Sequence, residues 1–362
     1  MPAPHEQRRR RLTEVMSERD LPAALVTNLV NVRYLTGFTG SNGAVLVAAD
    51  GSATLATDGR YQDQSAAECP DLERRINRAL VPTLLEGLNL PAGAAIGLEL
   101  HDMNVDAYVG VAELLADRNL TSRSLTRAVE ELRVVKDAGE VEALSTACAI
   151  STHALEQLHD GPLLGRSERD IARDLEWRMF ALGAEAIGFE TIVASGPNSA
   201  IPHHSPTERV VEHCDLLKID FGARYDGYHA DCTRTVVVGR AADWQREVYA
   251  AVRESQQAGV DALVAGLPVA ESDRKARAVL EAAGYLEYFT TGIGHGVGLR
   301  IHEDPFISAK HTGKLLARTA LTMEPGIYLA GRGGVRIEDT LVVTDGSADV
   351  LTTATKDLLE LA

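Results

Sequence analysis

The stretch DLLKIDFGARYDGYHADCTRTVVV, residues 215–238, predicts a β-hairpin whose strands carry two carboxylates. Asp226-Gly227 lies between two apolar runs, and an Asp-Gly pair in that setting is the strongest short-range signal of a hairpin. If these two residues form the loop, the tyrosines on either side of it pair, and counting outward pairs Thr233 with Asp220.

The two acidic residues of this hairpin, Asp220 and Asp231, then fall on the same face. They stand diagonal to each other, with Cβ atoms roughly 7–8 Å apart or somewhat less. Two ionised carboxylates this close in a half-buried sheet are strongly unfavourable unless a positive charge neutralises them. The pattern favours a shared metal ion, and the alternative is that both are solvated turn residues.

The composition is that of a soluble globular protein with room for two domains: 362 residues, 45% apolar and 24% charged. A formal net charge of −16 argues against nucleic acid or an anionic membrane as a partner, because both require a basic surface. The basic run Arg8–Arg11 is not followed by an apolar segment of signal-peptide length, so we expect a cytoplasmic protein. Four cysteines without CxxC spacing predict buried free thiols.

Residues 1–125 predict a small α/β domain. Four short segments have the character of strands: Ala23–Thr27, Ala44–Ala48, Ala53–Thr57 and Ala94–Leu98. Helical patterns cover Arg8–Ser17 and Met103–Ala116. The Gly-rich loop at Thr36–Gly43 matches neither common phosphate-binding pattern, so it predicts a tight connection and not a nucleotide site.

Residues 126–362 predict a second domain built from two similar halves. In the first half, Asp137 and Glu140 form a capping box, and Ser167 begins a second helix ahead of the hairpin. In the second half, helices predicted over Asp243–Ala265 and Ser272–Ala283 precede further strand segments. Two successions of helix, helix and strands indicate an internal duplication, so the predicted fold class is α+β with helices on one side of a sheet.

The second half also offers three further metal-ligand candidates. His295 lies in GIGHGVG, residues 292–298, where glycines at every second position let other groups approach the imidazole. Glu324 precedes a Pro-Gly turn, and Glu338 precedes an apolar strand segment. Taken singly, each has an ordinary explanation, as a core histidine or a solvated glutamate.

Together with the two aspartates, these residues would form an oxygen-rich cluster with one imidazole. Such a set can hold two divalent ions roughly 3.5–4 Å apart, with carboxylates bridging them. The donor set suits Mn²⁺ or Co²⁺ more than a cysteine-rich structural zinc site, and Zn²⁺ is the third candidate.

The ordered motifs KIDFG, DCTRT, GIGHGVG, MEPG and GVRIED resemble the family of prolidase, aminopeptidase P, methionine aminopeptidase and creatinase. The segment SGPNSAIPH, residues 195–203, precedes them as it does in that family, and NVRYLTGFTGSNG and DGRY resemble the small domain of its Xaa-Pro peptidase branch. The resemblance implies the pita-bread fold, with two pseudo-symmetric halves. It also implies that Asp220 chelates one metal, that His295 and Glu324 bind the other, and that Asp231 and Glu338 bridge the pair.

The activity implied by the resemblance is an Xaa-Pro dipeptidase that hydrolyses short proline-containing peptides, and aminopeptidase P is the alternative. Glu324 would transfer a proton, while His203 and His302 would contact substrate and intermediate; His204, next to His203, is the competing choice. Two bound ions would activate a water molecule and polarise the scissile carbonyl. Relatives usually form homodimers, so the resemblance also implies a homodimer.

Other functions are less well supported by the sequence. A non-catalytic binding module of this fold would be expected to lack ligands that are all present here, and creatinase-like chemistry would dispense with the metals. A methionine aminopeptidase is disfavoured by the domain of about 125 residues that precedes the motifs. The chain departs from many Xaa-Pro peptidases at Thr291, where they have a histidine beside the substrate.

Arg336 is a further candidate, because it lies two residues before Glu338 and would share its strand face. A guanidinium there could bind the free carboxylate of a dipeptide in a two-pronged arrangement. The alternative is that Arg336 only orders the ligand carboxylates. Arg300, two residues before His302, is similarly placed, with a surface charge as its alternative.

Overall fold

The computed structural model describes residues 4–362, which divide into two compact units between Arg133 and Val134. The sequence placed the division between residues 125 and 126, ahead of the helix Ala128–Val134 instead of near its end. The buried face of that helix explains the difference. The hydroxyl of Tyr34 donates to the carbonyl of Leu132 at 3.1 Å, and Arg133 donates to the side chain of Asn31 at 2.9 Å.

The first unit is built around one six-stranded sheet in the order β4-β3-β2-β1-β5-β6. Its strands are β1 Ala23–Val26, β2 Gly43–Ala48, β3 Ala53–Thr57, β4 Glu73–Ile76, β5 Ala95–Leu98 and β6 Thr121–Ser124. β1, β2 and β3 pair antiparallel, whereas β4, β5 and β6 join in parallel. The four central strands match the predicted ones to within a residue, and the two edge strands were not predicted.

Six helices accompany this sheet in residues 4–134: α1 Pro4–Glu18, α2 Leu29–Thr36, α3 Gln62–Glu68, α4 Leu80–Glu86, α5 Val105–Ala116 and α6 Ala128–Val134. The Gly-rich loop is the tight connection expected, because Gly37 ends α2 with a left-handed backbone at φ 83°. The buried side of the unit is an apolar cluster contributed by the central strands with α4 and α5.

The second unit begins with two helices, α7 Ala138–His159 and α8 Glu168–Ala181. Both predicted starts are confirmed: Asp137 and Glu140 form a reciprocal capping box, and the Ser167 hydroxyl accepts from the amide of Asp170. Their apolar faces pack on the first half's strands around Leu155, Ile171 and Ile219.

The second pair of helices, α9 Asp243–Asp261 and α10 Val269–Ala282, packs in the same way on the second half's strands, around Val252, Leu280 and Leu321. α9 ends four residues before the predicted Ala265, because the chain leaves the helix to pair with Thr344. α10 begins three residues before the predicted Ser272, directly after Pro268. The duplication of helix, helix and sheet that the sequence predicted is confirmed.

The strands of this unit form two larger sheets, ordered β20-β12-β9-β8 and β14-β13-β15-β18-β19, and two small ones, β11-β10-β7 and β16-β17. Their bounds are β7 Ala186–Ile187, β8 Ile192–Ser195, β9 Leu216–Phe221, β10 Ala223–Tyr225, β11 Tyr228–His229, β12 Cys232–Val238, β13 His295–Gly296, β14 Glu303–Phe306, β15 Ala320–Met323, β16 Gly326–Leu329, β17 Gly333–Arg336, β18 Asp339–Val342, β19 Asp349–Val350 and β20 Glu360–Leu361.

The hairpin of residues 215–238 has the predicted register. Tyr225 pairs with Tyr228, and Thr233 pairs with Asp220. The loop residues Asp226 and Gly227 both have positive φ, at 46° and 75°, as a two-residue hairpin turn requires. The register therefore places Asp220 and Asp231 on the same face of the hairpin, as predicted.

The cysteine prediction is correct for three of the four residues. Cys69, Cys148 and Cys232 are buried free thiols, whereas Cys214 is exposed, in a turn where its own φ is positive at 65°. None of the helices within residues 4–362 has the length and apolar character needed to cross a bilayer.

Candidate active site

A cavity of about 310 Å³ in the second unit collects the ligand candidates at the ends of five different strands. Its wall includes all five of them, Asp220, Asp231, His295, Glu324 and Glu338. Asp220 lies in β9 and His295 in β13, while the other three follow or precede strands in short connections. Strand ends of both halves thus bring together residues that are up to 118 positions apart in the chain.

Three of these side chains lie within the distance that one metal ion can span. Ligand atoms of Asp231, His295 and Glu338 are all within 4.8 Å of one another. The His295 Nε2 atom lies 3.5 Å from Asp231 Oδ2 and 3.4 Å from Glu324 Oε1. Glu324 therefore adjoins the three-residue group on the imidazole side, and Asp220 faces the same cavity from β9.

The backbone around His295 explains how so many groups approach it. A Cβ added to Gly294 would collide with the carbonyl oxygen of Thr322, and one added to Gly296 would collide with that of Asp304. The glycines predicted to leave room around the imidazole therefore do so. The Nδ1 atom of His295 donates to the carbonyl of Gly296 at 2.9 Å, which leaves Nε2 directed at the carboxylates as a ligand atom.

The carboxylates are in a setting that disfavours their charge. Burial raises the pKa of Asp231 to about 6 and that of Glu324 to about 7, and it raises the pKa of Glu338 well above its usual range. Burial alone would lower the pKa of His295, but Asp231 and Glu324 raise it to about 9. The cluster is therefore stable only when positive charge neutralises the carboxylates. A divalent cation provides that charge when it is bound, and protons provide it in the metal-free protein.

One atom of the cluster supports a bound cation directly. The Asp220 Oδ1 atom is buried and, within the described part of the chain, has no hydrogen-bond partner. The other oxygen, Oδ2, accepts from the Arg336 guanidinium. A buried carboxylate oxygen without a donor is expected where a metal ion provides the missing partner, so the oxygen-rich set fits divalent metals.

The two histidines predicted to contact substrate both line the cavity and are exposed. The ring of His302 lies edge-on to that of His295, with centroids 4.4 Å apart. Burial, together with His295 and His203, lowers the pKa of His302, so its imidazole is neutral at pH 7. His204 also borders the cavity, but it is buried and its Nε2 atom donates to Glu168 at 2.8 Å.

Arg336 is fully engaged by protein groups. Its guanidinium donates to Thr233 Oγ1 at 2.9 Å, to the Tyr328 hydroxyl at 2.8 Å and to the Pro202 carbonyl at 3.2 Å, besides Asp220. It is 2% exposed and is not among the residues that line the cavity. Of the two roles that the sequence left open for Arg336, these contacts support the ordering of Asp220 and do not support a clamp on the substrate carboxylate.

The structure adds residues that sequence reasoning did not single out. The Thr233 hydroxyl donates to Glu338 Oε2 at 2.7 Å, and the Tyr328 ring lies 5.1 Å from Lys218 Nζ. The hairpin register, which paired Thr233 with Asp220, could have indicated the first of these. For Glu168, which holds His204, no local pattern in the sequence gives a signal.

These pKa shifts predict how the stability of the metal-free protein depends on pH. Asp231 and Glu324 bind protons more tightly when folded than when unfolded. The stability that these two groups contribute is therefore fully present below about pH 4 and is lost as the pH rises through 6 to 7. The melting temperature of chelated protein should therefore drop between pH 5 and pH 8. Added Mn²⁺ should remove that slope, and Asp231→Asn should reduce it in the chelated protein. Equal slopes with and without metal would contradict the prediction.

An acidic cluster with one imidazole lies in the wall of a cavity that His203 and His302 also line. This is the arrangement of a metal-dependent hydrolase. Comparison with known protein families agrees with this interpretation of the site. Residues 142–345 match the sequence model of metallopeptidase family M24. Residues 8–135 match that of the creatinase/prolidase N-terminal domain. The chain belongs to metallopeptidase family M24, an enzyme family that depends on two metal ions.

Similar proteins cover almost the whole chain. An Xaa-Pro dipeptidase of Pyrococcus furiosus is 33% identical over 98% of this chain and 100% of its own. The solved structure of an Xaa-Pro dipeptidase from Bacillus anthracis is 34% identical, with a TM-score of 0.93 over 99% of this chain and 100% of its own. An X-Pro aminopeptidase from Thermotoga maritima is 34% identical, with a TM-score of 0.88 over 98% of this chain and 99% of its own. The fold is therefore the predicted pita-bread architecture preceded by the small α/β domain.

Proposed function

We propose that the protein is an Xaa-Pro dipeptidase, or prolidase, that hydrolyses the peptide bond before a C-terminal proline. The observation that carries the proposal is the cluster of four carboxylates and His295 in one cavity, on a chain whose similar proteins include Xaa-Pro dipeptidases over full length. The family supports peptide hydrolysis, and the names of those relatives support the dipeptide substrate.

The metal ligands we propose are Asp220, Asp231, His295, Glu324 and Glu338, with Mn²⁺ as the metal and Co²⁺ or Zn²⁺ as alternatives. Three observations support this set: the spacing of Asp231, His295 and Glu338, the buried Oδ1 of Asp220, and the oxygen-rich chemistry. When bound, two such ions lower the pKa of a water molecule and polarise the scissile carbonyl.

The protein side chains then have separate tasks. Glu324, which lines the cavity beside His295, would as the ionised carboxylate take a proton from the attacking water and return it to the leaving proline nitrogen. His203 and His302 face the cavity and donate hydrogen bonds to the substrate carbonyl and the oxyanion that develops from it. Arg336 and Thr233 hold Asp220 and Glu338 in position.

The substrate test compares Ala-Pro with Ala-Pro-Ala on the manganese-loaded protein. We expect a higher kcat/KM for the dipeptide and no activity after chelation. Faster cleavage of the tripeptide would make aminopeptidase P the better description, as the name of the Thermotoga relative allows. Arg336→Lys should lose activity on both peptides to a similar extent, because its contacts serve Asp220; a loss confined to the dipeptide would restore the carboxylate clamp.

We further propose that the enzyme is a homodimer, on the strength of the family resemblance. Light scattering after gel filtration should give twice the chain mass of 38.9 kDa, and a single-chain mass would refute the dimer.

A cytoplasmic location is also proposed, since the buried thiols of Cys69, Cys148 and Cys232 suit a reducing compartment. Cell fractionation followed by immunodetection tests it, and recovery in the secreted fraction would contradict it.

A further inference from the structure

A buried carboxylate outside the metal cluster holds the segment that carries His203. Glu168, the first residue of α8, is 0% exposed. Its Oε1 atom accepts from the amide and hydroxyl of Ser195 at 2.7 and 2.8 Å and from the side chain of Asn198 at 3.0 Å. Its Oε2 atom accepts from His204 Nε2 at 2.8 Å and from the amide and hydroxyl of Thr207 at 3.0 and 2.7 Å.

The donors to Glu168 lie on both sides of His203 in the chain. Ser195 and Asn198 precede it, and His204 and Thr207 follow it, so one carboxylate closes the segment 195–207 into a loop. A second anchor acts just ahead of His203, where the buried Lys218 donates to the carbonyls of residues 201 and 202 at 2.6 and 3.2 Å. The exposed imidazole of His203 is thereby presented to the cavity from a backbone that is fixed on either side.

Only an ionised carboxylate satisfies all of these donors. Burial by itself would raise the pKa of Glu168, but hydrogen bonds from Thr207, Asn198, His204 and Ser195 outweigh it and lower the pKa to about 2. A glutamine in its place would present an NH₂ group to the donors on one side, since an amide has only one acceptor atom. Buried donors left without an acceptor are costly, so the loop would shift to relieve them.

We propose that Glu168 is a positioning residue for the reaction: it fixes segment 195–207 so that the His203 imidazole meets the substrate. The inference rests on the proposed peptidase function. Glu168 itself contacts neither substrate nor metal in this role, because donors from segment 195–207 enclose its carboxylate.

The experiment is a double-mutant cycle with metal-loaded protein and Ala-Pro. Glu168→Gln should lower kcat/KM by about tenfold to a hundredfold, the scale of lost hydrogen bonds to a buried charge, with bound metal unchanged. Asp170→Asn is the matched control, because this carboxylate lies on the same helix with its side chain 61% exposed; it should have wild-type activity. In a His203→Ala background, Glu168→Gln should cause no further loss.

Additive losses in the double mutant would overturn the inference, because Glu168 would then act independently of His203. Thr207→Val removes one hydroxyl donor and should give a smaller loss in the same direction, which keeps the test decisive if Glu168→Gln fails to fold.

Hydrogen exchange at the amides of Ser195 and Thr207 should accelerate in Glu168→Gln, a readout that needs no substrate; unchanged exchange would refute the anchoring. If the wild-type protein failed to cleave Ala-Pro, the proposed function would be refuted. The hydrogen-exchange comparison would still show whether Glu168 anchors segment 195–207.

Discussion

Glu324→Ala is expected to abolish hydrolysis of Xaa-Pro dipeptides, with a fall in kcat of about 10²–10⁴-fold from the loss of proton transfer alone. Glu324 has two tasks in the proposed site. Its Oε1 atom lies 3.4 Å from His295 Nε2, where the two side chains would share a metal ion, and its partly buried carboxylate borders the cavity, where it can exchange a proton with a water molecule. Steady-state kinetics with Ala-Pro, together with the metal content of each preparation, measures the effect.

Two companion variants separate the tasks of Glu324. Glu324→Gln keeps the size of the side chain and one ligand oxygen but cannot carry the proton, so it should retain more metal than Glu324→Ala while remaining nearly inactive. Glu254→Ala, at an exposed position of α9, should behave as wild type. If chelated wild-type protein, or Glu324→Ala, kept the full rate, the two-metal mechanism would be wrong.

The hairpin, and the five ligand candidates that line one cavity, could be predicted because each rests on a local signal. Asp226-Gly227 fixes the turn, period-2 counting then fixes the partner of Asp220, and each remaining ligand stands beside glycines, a Pro-Gly turn or an apolar strand. The strand ends that carry them converge because the two halves repeat the same order of elements. Local pattern therefore singled out the candidates, whereas their roles as ligands came from the family resemblance and stay a prediction.

Features without a local signal could not be predicted from the sequence. The edge strands β4 and β6, with sequences ERRI and TSRS, are too polar to stand out as strands, and they form because a neighbouring strand offers hydrogen bonds on one side. α9 ends earlier than predicted because Val264 pairs with Thr344. No residue at the end of α9 signals that the helix stops there. Such elements are set by tertiary partners.

The same limit applies to charged residues with buried partners. Glu168 binds donors 27 to 39 positions away in the chain, and Arg336 meets Asp220 across 116 positions. The sequence placed Arg336 on the correct strand face but could not say whether its guanidinium would reach the substrate or a ligand carboxylate. Burial and the full set of donors around it supplied that information.

Replacing His203 or His302 by Ala should lower kcat by ~10²-fold or more while leaving the metal content intact, the scale expected for one oxyanion or acid–base group. Both imidazoles line the cavity and are exposed, so they can reach a bound peptide. The His302 ring touches His295 edge-on, so its imidazole lies beside the proposed metal site. Metal analysis and Ala-Pro kinetics on each variant provide the test.

His204→Ala is the matched control for the choice between neighbouring histidines. His204 is buried and donates to Glu168, so its loss should weaken the anchoring of segment 195–207 and cost less activity than the loss of His203. A greater loss in His204→Ala than in His203→Ala would show that the buried neighbour is the working residue. Loss of metal from His302→Ala would show that its ring, 4.4 Å from that of His295, is a ligand and not a substrate group.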